Sequence, residues 1–297
     1  MGLELSDFKP VDLGSRDEII SHFSRFPPLH SDYSFSTMFC WSDYMAYNYH
    51  IKDDSLLLMT ECKGEVYFRP PHGPPAPDIL EEVMDLAGRS DAQYNLSMAD
   101  PSMAEWIRKD FPDLKLLRHR DFADYVYLSG DLADLNGKRY LKIRNYLNKF
   151  TKENDFTVER ISRVDFDEVR DFLERWCEQK GCGQEPLLKS ENKAVKKALE
   201  HFFDLELGGL AIRIGTEVEA FSLFEPLDKD SAVIHFEKAN QDFKGIYQAI
   251  NNEAAKMIRD DFEFINRESD MGIEGLRKAK MKYRPHHMVD VYHVKRD

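Results

Sequence analysis

The sequence predicts an α/β protein with mixed sheets (α+β), built from two consecutive domains in which helices flank the sheet. The chain has 297 residues, and a length of this size commonly divides into two domains. The same order of predicted elements, namely hairpin, helix, strand, helix and strand, occurs in both halves. Aromatic residues form 12% of the chain, so each half has the side chains for a large core.

In the first half, two segments of alternating polarity flank Lys63-Gly64 and predict a β-hairpin. A helix follows, because its apolar residues recur at helical spacing. The predicted elements of this half are strands at 55–60 and 65–70, a helix at 78–87, a strand at 94–98, a helix at 102–111 and strand material at 114–128.

The second half repeats this order after a helical segment with Tyr140, Ile143 and Phe150 on one face. We place the domain boundary near residue 130, which gives domains 1–130 and 131–297. The predicted elements are helices at 165–179 and 191–203, the latter with Ser190 as N-cap, a hairpin around 215–217 extended by 231–239, a helix at 246–259, a strand at 262–266, a helix at 273–283 and a strand at 288–294.

Charge is distributed unevenly along an acidic chain. The formal net charge is −13, which argues against non-specific binding of nucleic acids and against DNA as a partner. Two acid-free runs concentrate the positive charge, one with Lys138, Arg139, Lys142, Arg144, Lys149 and Lys152, the other with Arg277, Lys278, Lys280, Lys282 and Arg284. Each run fits either a solvated helix face or a local anion site.

The cysteines and the hydropathy indicate the compartment. Cys40, Cys62, Cys177 and Cys182 show no C-x-x-C spacing, and no histidine is placed to complete a zinc site. We therefore expect no metal and four free thiols in a reducing compartment. No apolar run reaches membrane-spanning length, and the N-terminus is not typical of a signal peptide. The prediction is a cytoplasmic monomer without an integral membrane segment.

The loops that precede the first helix of each predicted sheet differ between the halves. The first loop, RPPHGPPAPD at 69–78, contains five prolines, which lack the N–H group that a phosphate cradle needs. The second, ANQDFKGIYQ at 239–248, keeps its N–H groups, adds Lys244 and places Gly245 directly before the helix. Since a helix N-terminus favours an anion, the second loop is the predicted anion site. The alternative is an ordinary turn that needs Gly245 for its dihedral angles.

Glu237 lies near the end of the strand SAVIHFEKA, beside this loop. Strict alternation places Ile234 and Phe236 on one face of the sheet and His235 and Glu237 on the other. A carboxylate at this position could act as a general base on an amine or a hydroxyl. The alternative is a structural salt bridge to Lys238 or to another cation.

The strand predicted at 262–266 ends in polar residues. Asn266 and Arg267 stand at its end, and Glu268 and Asp270 follow directly. Polar groups at the carboxyl ends of strands in open α/β sheets often line ligand clefts. Asn266 and Arg267 are therefore candidate ligand-binding residues.

The helix predicted next places two cations close together. Arg277 and Lys280 are three residues apart, beside an apolar stripe of Leu276, Ala279 and Tyr283. Like charges at this spacing cost a few tenths of a kcal/mol unless they are neutralised. The acidic residues just before the helix would neutralise them internally, and a phosphate-bearing ligand is the alternative.

Several segments of the second half resemble a known family. They are GKRYLKIRNYLNKF, the helix with Phe172 and Trp176, IHFEKANQDFKGIYQAIN, and INRESDMGIEGLRKAKMKYRP. In this order they resemble the C-terminal domain of phosphatidylglycerol lysyltransferases. The likeness is stronger to the uncharacterised proteins grouped with that domain, which lack its membrane part.

The resemblance implies two tandem domains of the GNAT acyltransferase fold, a degenerate first domain and a second one with the active site. It implies transfer of an acyl or aminoacyl group, from aminoacyl-tRNA in the lysyltransferases and from an acyl-coenzyme A thioester in most GNAT enzymes. Together with the patterns above, it makes Glu237 the candidate catalytic base. The candidate donor-binding residues are Lys244, Gly245, Tyr247, Asn266, Arg267, Arg277, Lys280, Lys142, Arg144 and Asn145.

The predicted anion loop departs from the GNAT pattern Gln/Arg-x-x-Gly-x-Gly/Ala. Tyr247 replaces the second small residue and would crowd a pyrophosphate, and Asp242 would repel it. These departures disfavour coenzyme A, and the missing membrane part disfavours a bilayer lipid as acceptor. The alternatives to an aminoacyltransferase are a coenzyme A-dependent N-acetyltransferase and a non-catalytic module that binds tRNA or a nucleotide through the two basic runs.

Overall fold

The computed structural model describes residues 2–89 and 94–296. The chain forms two compact units: one runs up to Asp124 and resumes from Val289, and the other is Tyr125–Met288. The expected boundary near residue 130 thus lies inside the second unit, and the C-terminal strand belongs to the first. In the described part of the chain, no helix has both the length and the apolar character needed to cross a bilayer.

The first unit contains two antiparallel sheets, with strand orders β1-β2-β3-β4 and β5-β14-β6. Its elements are β1 (Lys9–Pro10), α1 (Arg16–Arg25), α2 (Phe35–Cys40), β2 (Ala46–Lys52), β3 (Ser55–Cys62), β4 (Glu65–Phe68), α3 (Pro77–Ala87), β5 (Leu96–Ala99), α4 (Pro101–Asp110), β6 (Lys115–Arg118) and β14 (Tyr292–Lys295). The predicted hairpin is confirmed as β3 and β4. Its turn residues, Lys63 and Gly64, have φ angles of 54° and 82°, the positive values that a tight type I′ turn requires.

The second unit contains one mixed sheet with the order β13-β7-β12-β11-β10-β9-β8. Its elements are β7 (Asp124–Leu128), α5 (Ser129–Asp134), α6 (Leu141–Glu153), β8 (Phe156–Arg160), α7 (Phe166–Lys180), α8 (Pro186–Glu200), β9 (Gly208–Ile214), β10 (Glu217–Pro226), β11 (Ser231–Ala239), α9 (Ile246–Ile258), β12 (Phe264–Asn266), α10 (Glu274–Lys282) and β13 (His287–Val289). The strand pair β11–β12 is parallel, and β10 pairs antiparallel with both β9 and β11.

Helix α9 supplies much of the core of the second unit. Its residues Ile246, Ala249 and Ile250 are buried in one cluster with Tyr127 and Ile234 of the sheet. Full burial of a large aliphatic side chain contributes about 1.5–3 kcal/mol. The apolar spacing that predicts this helix is therefore also what fixes it on the sheet, beside the end of β11.

Several details differ from the sequence-based expectations. Ser190 is not an N-cap, because α8 already begins at Pro186, and the Ser190 hydroxyl donates to the Pro186 carbonyl oxygen one turn earlier. The expectation of four free thiols is wrong for Cys177 and Cys182, which form a disulfide. The stretch predicted as strand at 114–128 is two separate strands, β6 and β7, and the strand predicted at 288–294 is also two, β13 and β14, which belong to different sheets.

Candidate functional site

The sheet of the second unit opens where β11 and β12 part. The two strands pair only from Ser231–Phe264 to Val233–Asn266. Strand β12 ends there, whereas β11 continues to Ala239 with β10 as its partner. The end of β11 and the loop after β12 therefore border a gap at the carboxyl ends of two parallel strands, the usual place for a ligand cleft in an open α/β sheet.

A β-bulge in β11 decides on which face of the sheet Glu237 lies. Glu237 is opposite Ser222 of β10, and Ile234 is opposite Phe224. Because the two β10 residues share a face, Glu237 and Ile234 share it too. His235 is the extra residue between them. The expected alternation, with Ile234 and Glu237 on opposite faces, is therefore wrong.

The bulged His235 lies between two carboxylates. Its Nε2 is 2.9 Å from Glu225 Oε1, and its Nδ1 is 2.9 Å from Glu268 Oε1. Burial lowers the pKa of His235, but the two charged hydrogen bonds outweigh burial and raise the pKa to about 10. The side chain is therefore an imidazolium that donates to both carboxylates and joins β11 to the loop after β12. Sequence reasoning missed this role, since the partners lie on other segments.

Glu237 is held by two side chains. Its Oε1 accepts from Arg267 Nη2 at 2.8 Å, and its Oε2 accepts from Asn251 Nδ2 of α9 at 3.4 Å. The side chains of Glu237 and Arg267 are 10% and 14% exposed. The guanidinium of Arg267 also lies over the ring of Tyr283, 5.1 Å from its centroid. A salt bridge is thus present, but one carboxylate oxygen has only a neutral amide as its partner.

Arg277 and Lys280 have internal partners. Arg277 donates from Nε and Nη2 to both carboxylate oxygens of buried Asp270, at 2.9 and 2.8 Å. Lys280 Nζ donates to the backbone carbonyl oxygens of Arg267 and Glu268. These two cations therefore stabilise the segment between β12 and α10, in the internal arrangement that the sequence left open.

Asn266 and Gly245 have structural reasons for their positions. The Asn266 side chain is buried, and its Oδ1 accepts from the Glu268 N–H at 2.7 Å, which closes a turn. Gly245 has a φ of 102°. A Cβ atom there would lie 2.3 Å from the Tyr146 carbonyl oxygen, so only glycine lets α6 and α9 approach this closely.

The loop before α9 uses several N–H groups internally. The Asn240 N–H donates to the Glu219 carbonyl oxygen at 2.8 Å, and the Asp242 N–H donates to Asn240 Oδ1 at 3.0 Å. The N–H groups of Phe243 and Ile246 also bond carbonyl oxygens, at 3.3 and 3.1 Å. The expectation of a loop with free N–H donors is wrong for these four groups, so an anion here must rely on side chains.

A cationic pocket of about 550 Å³ lies beside the N-terminus of α9. Its lining comes from α6, the loop before α9, α9 itself and the end of α10: Arg139, Lys142, Ile143, Tyr146, Gln241, Phe243, Lys244, Gly245, Ile246, Tyr247, Gln248, Ala279, Lys282, Tyr283 and Arg284. Arg139 pairs with Asp131 at 2.5 Å. Among residues 2–89 and 94–296, no carboxylate lies within 4 Å of the charged nitrogens of Lys142, Lys244, Lys282 or Arg284.

The pocket contains only part of the predicted set. Lys142, Lys244, Gly245 and Tyr247 line it, and Asn145 does not. Arg144 instead donates to the carbonyl oxygens of Leu135 and Gly137, just after α5. Arg139, Lys282 and Arg284 were not singled out from the sequence, although all three lie in the acid-free runs.

Tyr283 connects the pocket to the Glu237–Arg267 pair. It lines the pocket, and the guanidinium of Arg267 lies over its ring. Burial raises the pKa of Tyr283 above its usual range, so the phenol stays protonated. The side chain of Tyr283 thus stands between the Glu237–Arg267 ion pair, which does not line the pocket, and the pocket itself.

Comparisons with known proteins agree with this architecture. A family model described as "Phosphatidylglycerol lysyltransferase, C-terminal" matches residues 23–295. A conserved protein of unknown function from Bacteroides thetaiotaomicron VPI-5482 is 28% identical, with a TM-score of 0.91 over 98% of this chain and 99% of that one. L-PGS from Bacillus licheniformis is 14% identical, with a TM-score of 0.64 over 99% and 94% of the two chains.

A tandem GNAT protein from the clavulanic acid biosynthesis pathway is 6% identical, with a TM-score of 0.50 over 96% of this chain and 97% of that one. At this identity the likeness concerns the fold alone. The predicted fold class, α/β with two tandem GNAT-like domains, is confirmed.

Proposed function

The chain belongs to the family of the C-terminal domain of phosphatidylglycerol lysyltransferase, and we propose that it transfers an acyl or aminoacyl group from a phosphate-bearing donor bound in the cationic pocket. The observation that carries the proposal is the pocket itself. It holds Lys142, Lys244, Lys282 and Arg284, and none of the described residues that line it is acidic. Phosphate groups would offset the mutual repulsion of these cations.

Aminoacyl-tRNA is the donor that this chemistry favours. Several N–H groups of the loop before α9 already donate to acceptors within the protein, so few of them are left to bind a compact pyrophosphate. Long cationic side chains around an open rim instead suit the spaced phosphates of a nucleic acid strand. Tyr146, Phe243 and Tyr247 in the lining would stack a base.

An acyl-coenzyme A thioester is the second candidate donor. The tandem GNAT-like fold supports it, and the same aromatic side chains would stack its adenine. Tyr247 and the internally bonded loop argue against it. A non-catalytic module that binds tRNA or a nucleotide would use the same pocket without transfer, so binding and transfer need separate measurements.

In the proposed reaction, an amine or hydroxyl of the acceptor attacks the donor's carbonyl carbon. The new C–N or C–O bond forms while the ester bond to the tRNA ribose breaks, and the ribose hydroxyl takes up a proton. Glu237 is the candidate acceptor of the nucleophile's proton. Its Oε2 is the available atom, because Oε1 is bound to Arg267 and Oε2 has only the 3.4 Å contact with Asn251.

Direct titration at several salt concentrations tests the proposal. We expect aminoacyl-tRNA to bind, and Lys142→Gln or Lys282→Gln to reduce the salt slope of log K by about 1 each. Lys278→Gln is the matched control, since Lys278 pairs with Glu274 at 2.5 Å outside the pocket. Equal losses in the control would refute the pocket as the donor site. If coenzyme A binds and aminoacyl-tRNA does not, the donor is an acyl-coenzyme A thioester. If a donor binds but no group is transferred to an amine or hydroxyl acceptor, the protein is a non-catalytic binding module.

A further inference from the structure

The first unit contains an opening of its own between two strands. Strand β4 is the last strand of one sheet and β5 the first of the other, so the two are not paired. They lie close together all the same, since Ser97 Oγ donates to the Phe68 carbonyl oxygen at 3.4 Å. A cavity of about 780 Å³ lies at this break, within the range typical of small-molecule sites.

One wall of the cavity is a continuous row of rings. The rings of Tyr94 and His293 stack with centroids 4.1 Å apart and an interplanar angle of 2°. His119 follows at 4.5 Å from His293, and Phe122 at 4.7 Å from His119. All four line the cavity. Such a row offers π faces and edges to a flat aromatic ligand.

His293, one of the described residues of this row, has a buried ring nitrogen behind the wall. Its Nε2 is 2.7 Å from His119 Nδ1, while its own Nδ1 is buried and has no hydrogen-bond partner among the residues that the structure describes. Burial, with a contribution from His119, lowers the pKa of His293 to about 4, so the ring is neutral at neutral pH. Because this nitrogen has almost no accessible surface, a ligand in the cavity would meet the rings of this wall and not His293 Nδ1.

Arg69 places a nearly buried positive charge in the same cavity. The residue is 2% exposed, and its guanidinium lies 4.8 Å from the ring centroid of Tyr33 and 5.4 Å from that of Tyr47. Its Nη1 donates to the Asp32 carbonyl oxygen at 3.0 Å, whereas the Asp32 carboxylate is 3.7 Å from Nη2, beyond hydrogen-bond distance. The planar fork of an arginine pairs best with a carboxylate, and here it has none in full contact.

Met98 is strained at the edge of this cavity. Its φ of 61° is uncommon for a residue other than glycine. The strained conformation presents the Met98 carbonyl oxygen to the hydroxyl of Tyr33 at 2.8 Å, and Tyr33 is one of the rings beside Arg69. Strain of this kind is found preferentially at ligand sites.

We propose that this cavity binds a planar aromatic monocarboxylic acid, with its ring along the Tyr94–His293 row and its carboxylate on Arg69. Asp32 and Glu65 also line the cavity and would repel a phosphate dianion, so the charge balance suits a single negative charge. The site is independent of the transferase proposal, because every lining residue belongs to the first unit.

Isothermal titration calorimetry of the full chain with indole-3-acetate and 3-phenylpropionate tests the proposal. We expect saturable binding of both acids, about tenfold weaker binding of 3-phenylpropanol, which lacks the carboxylate, and none of inorganic phosphate. Val66→Trp fills the cavity without removing a charge and should abolish binding. Lys244→Gln, in the pocket of the second unit, should leave it unchanged.

Arg69→Gln should bind 3-phenylpropionate and 3-phenylpropanol with equal affinity. Circular dichroism shows whether the variant is folded. If it is not, Tyr94→Ala serves in its place, because it removes the ring wall from a more exposed position and should weaken both acids. Absence of binding heat for either acid would overturn the proposal. So would unchanged binding by a folded Val66→Trp, or loss of binding in Lys244→Gln.

Discussion

Glu237 Oε1 accepts a hydrogen bond from Arg267 Nη2 at 2.8 Å, across the gap where β11 and β12 part. Glu237 lies near the end of β11, and Arg267 directly follows β12. The ion pair thus joins two strand ends that no longer share backbone hydrogen bonds. The guanidinium of this pair also lies over the ring of Tyr283, a residue that lines the cationic pocket.

Replacement of Glu237 by Gln should affect rate and stability together. Gln keeps the shape but accepts no proton, so we expect the transfer rate to fall by about 10²-fold or more with donor affinity unchanged. It also leaves the Arg267 charge buried without its counter-ion, so the free energy of unfolding should fall by about 3 kcal/mol. Single-turnover kinetics and urea denaturation measure the two effects.

The double variant Glu237→Gln/Arg267→Met separates the two roles. It removes both charges and should recover stability. If the rate stays low while stability returns, the base role is supported. If rate and stability return together, Glu237 is only the partner of Arg267, and the catalytic role is lost.

Arg277→Gln should make the protein more sensitive to acid. Burial would raise the pKa of Asp270, but Arg277, the Tyr125 hydroxyl and the Gly272 N–H hold that pKa well below its usual range. Such a carboxylate contributes stability that is complete above its unfolded pKa of about 4 and is lost as pH falls through the folded value. We expect the variant to unfold at a higher pH than the parent in an acid titration followed by circular dichroism.

Donor affinity is the second readout for this variant. Because Arg277 lies outside the cationic pocket, affinity should be unchanged once folding is confirmed at neutral pH. Lys278→Gln, an exposed neighbour on the same helix, is the control for both measurements. If the variant binds the donor more weakly but unfolds at the same pH as the parent, Arg277 contacts the donor and the structural role is wrong.

His235 should make stability fall in mild alkali. Its pKa is raised from 6.5 to about 10, since its bonds to Glu225 and Glu268 outweigh burial. A raised folded pKa adds stability that is complete below the unfolded value and is lost as pH rises through the folded one. Urea denaturation between about pH 6 and pH 10 should show this loss in the parent and a flatter profile in His235→Gln. Equal slopes would mean that the imidazole is not charged.

Gly245→Ala should destabilise the protein more than Gly215→Ala. Both glycines have positive φ, 102° and 63°, so both substitutions cost about 1 kcal/mol in backbone strain. A Cβ at Gly215 meets nothing within 4 Å, whereas at Gly245 it meets the Tyr146 carbonyl oxygen at 2.3 Å. We expect at least about twice the loss at Gly245 in urea denaturation. Equal losses would show that α6 shifts freely.

The sequence by itself determined most of the elements and the family. Helices such as α3 and α9 follow from apolar spacing, and the β3–β4 hairpin from its turn residues, because these signals act over a few neighbouring residues. The two acid-free runs also pointed to the segments that supply most of the pocket's cations. The predicted roles of individual residues in catalysis and donor binding remain predictions.

Tertiary structure alone decided which positively charged side chains line the cationic pocket. In one run, Arg277 and Lys280 are used internally while Lys282 and Arg284 reach the pocket. Local sequence does not separate them, since the outcome depends on which distant segments pack beside each side chain. The bulge at His235 is a second case. Alternation assumes an unbroken register, and a single extra residue in β11 moved Glu237 to the face of α9, where its Oε2 accepts from Asn251.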